Sequence, residues 1–139
     1  MTYAMAAGLQ QALYLHLLAD PDLNALVGDA IYDAPPRGAR PALYVALGDE
    51  QVRDRSDKTG AGAQHDVTIS VIADAAGYAQ VKTIAGVISD TLQDASLLLP
   101  RGHLVFLTFQ RARARRSRNN ETRRIDMIFR ARLCDDSVA

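Results

Sequence analysis

Seven arginines fall within fourteen positions: Arg111, Arg113, Arg115, Arg116, Arg118, Arg123 and Arg124, opposed by one acid, Glu121. Lysine is absent from this window. A guanidinium offers a planar fork of donors that meets a carboxylate or phosphate bidentately, and it loses less freedom per hydrogen bond than a lysine does. Spacing of two places Arg111, Arg113 and Arg115 on one face of a strand. Three readings follow: an exposed face neutralised by acids of the same chain, a track for nucleic-acid phosphates, or a contact with carboxylates of a neighbouring subunit. Residues 110–124 contain no Phe, Tyr or Trp, so the stacking groups that hold single strands are missing.

Other reactive residue types do not assemble. His16, His65 and His103 lie on separate elements without metal-ligand spacing, and His16 falls in a leucine stripe where packing explains it. Asp49, Glu50, Asp54 and Asp57 alternate with Arg53, Arg55 and Lys58, a mixed-charge pattern without the apolar surroundings that tune a carboxylate for acid–base work. Gly60-Ala61-Gly62 lacks the Gly-Lys-Ser/Thr of a phosphate loop. The single cysteine, Cys134, precedes Asp135 and Asp136, whose charge disfavours a thiolate. The expectation is a protein without catalytic, cofactor-binding or metal-binding residues, hence not an enzyme.

The elements that position the arginines read as follows. Met5–Ala19 has helical period through Leu9, Ala12, Leu13, His16 and Leu17, with Leu15 and Leu18 widening the stripe to a second face. Asp20-Pro21 supplies an N-cap and a first-turn proline for a short helix that Gly28 ends. Strands are expected over 30–33, 41–49 and 64–73, with the polar stretch 50–63 as a mobile loop or the tip of a long hairpin. Residues 77–95 form an amphipathic helix through Val81, Ile84, Ala85, Ile88 and Leu92, and Gly86 within it suggests a close approach to the sheet. Strands over 103–114 and 122–134 make a final hairpin with an Arg-rich tip that turns at Asn119-Asn120. The order is ααβββαββ, an α+β fold with one helix packed on a mainly antiparallel sheet.

The chain has 139 residues, expected as one domain, with equal numbers of acidic and basic side chains. That balance hides a division. Residues 1–100 carry six basic and twelve acidic side chains, whereas residues 101–134 carry ten arginines against two acids. Such asymmetry suits a molecule that meets copies of itself or a charged neighbour. No apolar run approaches the length of a membrane-spanning helix, and the opening MTYAMAAGLQQ lacks a secretion signal's basic segment.

Read in order, LQQALYLHLLADPDLNALVGDAIYDAPP, PALYVALGD, GAQHDVTISVIADAAGYAQVKTIAGVISDTL and LLLPRGHLVFLTFQRARARRSRNNETRRIDMIFRARL resemble the tail-terminator, or tail-completion, proteins of long-tailed phages, prophages and gene transfer agents. The resemblance spans residues 5–134 and rests on Leu26-Val27-Gly28, Ile31-Tyr32-Asp33, Leu47-Gly48, His65 and Phe129-Arg130-Ala131. The final hairpin departs from it, with Asn119-Asn120-Glu121 where an Asp-Gly turn is common. The resemblance implies a structural virion protein assembled in the bacterial host cytoplasm. It implies a ring, usually of six subunits, that ends the tail tube at its head-proximal side and docks to the head-completion (stopper) proteins. DNA then transits the lumen without sequence-specific binding, and no membrane is involved. Within such a ring the expected contacts pair Arg111, Arg113, Arg115, Arg116 and Arg118 with Asp49, Glu50 and Asp54 of a neighbour. The alternative is a small nucleic-acid-binding module that uses the Arg-rich hairpin.

Overall fold

The computed structural model describes residues 3–33, 38, 41–58, 60–74, 78–117 and 121–135. Its elements are α1 (Ala6–Ala19), α2 (Pro21–Val27), β1 (Ile31–Tyr32), β2 (Leu43–Asp54), β3 (Ala61–Ala73), α3 (Ala79–Leu92), β4 (His103–Arg116) and β5 (Arg123–Asp135). This is the α+β order read from the sequence. Five strands form one sheet in the order β1-β2-β3-β5-β4, with β1 parallel to β2 and every other pair antiparallel. The chain leaves β3, crosses by way of α3, and returns as β4 on the far side of β5.

Local chemistry explains each helix. Leu9, Leu13 and Leu17 recur at four-residue spacing on α1 and are fully buried, while Leu15 is 51% exposed. Of the two residues expected to widen the stripe, Leu18 packs at the edge of the core and Leu15 does not. The Asp20 side chain accepts a hydrogen bond from the Leu23 N–H at 2.9 Å and caps α2. Hydrogen bonds from Thr91 and from the Leu23 amide hold its carboxyl below the usual aspartate range. Gly28, at φ 61°, ends the helix. On α3 the stripe Val81, Ile84, Ala85, Ile88 and Leu92 is buried as expected, and the helix stops at Leu92. Gly86 faces open space, so no close approach to the sheet accounts for it.

The core lies between the helices and one sheet face. Val67, Ile69 and Val71 of β3 alternate into it with Ile125, Met127, Phe129, Ala131 and Leu133 of β5. Phe129 is fully buried, with Phe109 edge-on at 5.8 Å. A smaller cluster of Ala30, Tyr44, Ala46 and Ile72 sits on the opposite face beside Tyr32. The polar stretch after Asp49 is a hairpin rather than a loop. Residues Glu50–Asp54 pair with Val67–Ala63, leaving only the tip between Asp54 and Ala61 outside the ladder. Val52 keeps the two-residue alternation going through this charged segment, opposite the buried His65.

Candidate assembly face

The sheet face away from the helices carries the charge. Ladder partners point the same way, so β4 supplies Arg111, Arg113 and Arg115, β5 supplies Arg124, Asp126, Ile128 and Arg130, and β3 supplies Asp66, Thr68 and Ser70. On β2, Gly48 and Asp49 together oppose Thr68 in a bulge between Leu47 and Glu50. A second bulge lies between Phe109 and Arg111 of β4. Asp49 and Arg111 line common grooves, of about 370 and 450 Å³, although β3 and β5 run between their strands. The face is therefore concave, with Asp49 on its β2 side and a basic wall at β4.

Asp126 is the hub of this face. Its Oδ1 accepts from Ser70 Oγ at 2.5 Å and from Arg124 Nε at 2.7 Å, and its Oδ2 accepts from Arg115 Nε at 3.1 Å. Burial alone pushes the Asp126 carboxyl up. The hydrogen bonds from Ser70 and Arg124, with the charges of Arg124 and Arg115, outweigh that and hold it below the usual aspartate range. Next along the face, Arg130 grips Asp66 through two parallel bonds of 2.9 and 3.1 Å. That hydrogen bonding raises the guanidinium's already high pKa.

The eight expected contact residues divide in this geometry. Arg111 and Arg113 project from the basic wall, are exposed, and make no ion pair among the described residues. Arg115 lies in the same row but is held by Asp126. Arg116, opposite Arg123 at the end of β4, is exposed on the helix side. Arg118 lies outside the described residues. Asp49 stands exposed on the β2 side of the face.

Glu50 is engaged within the chain, where it accepts from Tyr3 Oη at 2.8 Å and lies 3.0 Å from Nδ1 of the fully buried His65. The Tyr3 and His65 rings stack with centroids 6.4 Å apart. Asp54 organises the hairpin tip, accepting from the Ser56 N–H at 3.1 Å and the Ser56 hydroxyl at 2.6 Å. Arg123 is buried, with its guanidinium 5.5 Å from the Tyr78 ring centroid, and it leaves the basic face altogether.

Sequence reasoning missed Asp126, Asp66 and Ser70 as organisers. Alternation on β5 does place Arg124, Asp126 and Arg130 on one face, but only the ladder register reveals that Ser70 meets Asp126 and Asp66 meets Arg130. His16 is half-buried and ties α1 to α3, with Nε2 2.9 Å from the Thr91 carbonyl oxygen. Among the described residues there is no cluster of three or more His, Cys, Asp or Glu suited to a metal ion, and no helix long and apolar enough to cross a membrane.

Comparison with known proteins agrees with an assembly role. The family described as tail completion protein gp17 matches residues 11–133. No curated protein matches the sequence. Among solved structures, the chain is similar to one in the virion of a native gene transfer agent (GTA) particle. The two share 56% identity and a TM-score of 0.91, covering 96% of this chain and 99% of that one. The chain thus belongs to the tail completion protein gp17 family and is a structural component of a virion tail.

Proposed function

We propose that this protein is a tail terminator. Copies form a ring at the head-proximal end of the tail tube, with no covalent chemistry, and the ring stops tube growth and docks to the head-completion proteins. The similarity to a chain of a GTA virion, over nearly the full length of both, supports a particle of that kind. The observation that carries the ring is the separation of unpaired charge: Arg111 and Arg113 stand free at one side of the sheet and Asp49 at the other. A ring is built from two different patches of one subunit, complementary and related by a rotation that closes. Six copies and a free passage for DNA belong to this proposal.

The test removes the positive charge at the two unpaired arginines. Arg111→Glu with Arg113→Gln removes no described intramolecular ion pair and sets no acid opposite Asp126, so folding by circular dichroism should match the parent. Light scattering should show loss of assembly, and particles carrying the variant should have tails of irregular length or unattached heads. Normal tails joined to filled heads would remove this face from assembly.

A further inference from the structure

We propose that the ring closes by main-chain pairing: the open half of β4 in one copy adds, antiparallel, to the open half of β2 in the next. This deepens the terminator reading and rests on it.

Both outer strands of the sheet are half covered. The first part of β4 is flanked by the segment after α3, where the Asp94 N–H donates to the Leu107 carbonyl oxygen at 3.3 Å. Beyond it, residues 108–116 have β5 on one side and no described strand on the other. At the opposite edge, β1 pairs with β2 only at Val45 and Ala46, and the Ala30 carbonyl oxygen accepts from the Val45 N–H at 2.9 Å. Residues 47–54 therefore present their outer N–H and C=O groups without a described strand. A row of such groups is a template for another strand.

Direction, charge and stagger all favour the joint. In the ladder β2 runs with β5, and β4 runs against both, so placing the next copy edge to edge makes β4 meet β2 antiparallel. Arginines usually blunt an edge, and here Arg111, Arg113, Arg115 and Arg116 oppose the pairing of two β4 strands by like-charge repulsion. The β2 edge instead offers Asp49 on the concave face, where the Arg111 row points, and carries one arginine, Arg53, against the four of β4. Repulsion thus selects the heterologous contact that a ring needs over a two-fold dimer.

The open halves overlap only in part. Leu47, Ile69, Met127 and Ala112 share one ladder row, and Gln51, Asp66, Arg130 and Thr108 share another, so 47–51 already stand level with 108–112. Joining the halves along their full length shifts each copy by about four residues, the kind of stagger that closing a sheet on itself requires.

Hydrogen exchange on the full chain, as dilute subunit and as assembled ring, tests the pairing directly. Assembly should slow exchange at least ~10-fold at outward amides of both 108–116 and 47–54, and leave the tip 55–58 unchanged. A charge exchange supplies a second readout: Asp49→Arg should abolish assembly, and adding Arg111→Asp should restore it. Rings that form with both edges unprotected overturn the pairing while leaving the terminator reading intact. Protection of 108–116 without 47–54 also overturns it. Failure to form a ring in solution and on tails overturns both.

Discussion

Asp126→Ala should cost about 2–3 kcal/mol of stability. Its side chain is only 19% exposed and holds three partners. A hydrogen bond to a charged group is worth about 1.5–3 kcal/mol when shielded. Arg115 and Arg124 are 50% and 41% exposed, and solvent screening reduces each of those pairs to roughly 0.5–1 kcal/mol. Ser70 is buried, so its hydroxyl, stripped of its acceptor, adds about 1 kcal/mol. With a urea slope of about 1.5 kcal/mol/M, the midpoint should fall by roughly 1.3–2 M.

Acid provides an internal control. The folded carboxyl lies below its ordinary 3.8, so its contribution is complete above that value and disappears as pH falls through the folded one. The stability gap between the parent and Asp126→Asn should therefore close on acidification below about pH 4. A midpoint within ~0.3 M of the parent for the alanine variant, or a gap that persists into strong acid, would refute the hub assignment.

Two glycines should respond in opposite directions to alanine. Gly86→Ala, on an exposed helix face with open space around it, should stabilise by about 0.5–1 kcal/mol in urea melts. Gly102→Ala should destabilise by more than ~2 kcal/mol, because φ is +72° and the new methyl falls on the Cys134 carbonyl oxygen and the Met5 sulfur. Duplex DNA should show negligible affinity for the full chain even at about 50 mM salt. Measurable binding that falls steeply towards about 200 mM would instead assign the arginine row to phosphates.

Much of this fold was legible because its elements are periodic. Alternation along Ile125, Met127, Phe129, Ala131 and Leu133 fixes both strand type and buried face. Asp20-Pro21 marks a helix boundary through side-chain chemistry alone. The extent of the β2–β3 hairpin was less legible, since Glu50, Gln51, Arg53 and Asp54 read as solvated loop until β3 pairs with them. The candidate face was half visible. Period two finds the Arg111 row, but whether an arginine is free depends on register, which gives Arg115 a carboxylate and leaves Arg111 without one. The partners of Glu50 were hidden for the same reason: His65 and Tyr3 lie 15 and 47 positions away and reach it only in the fold.

The junction between the first helix and the fourth strand has a mechanical consequence. A methyl at Gly8 would come within 2.8 Å of the Pro100 ring, and the Met5 sulfur crowds Gly102 just before β4 begins. Surfaces meeting with so little free space cannot slide independently. Force applied along β4 thus passes into α1, through Leu9, Leu13 and Leu17, and onward to the whole hydrophobic layer. A subunit loaded at that margin bears the strain as one stiff body.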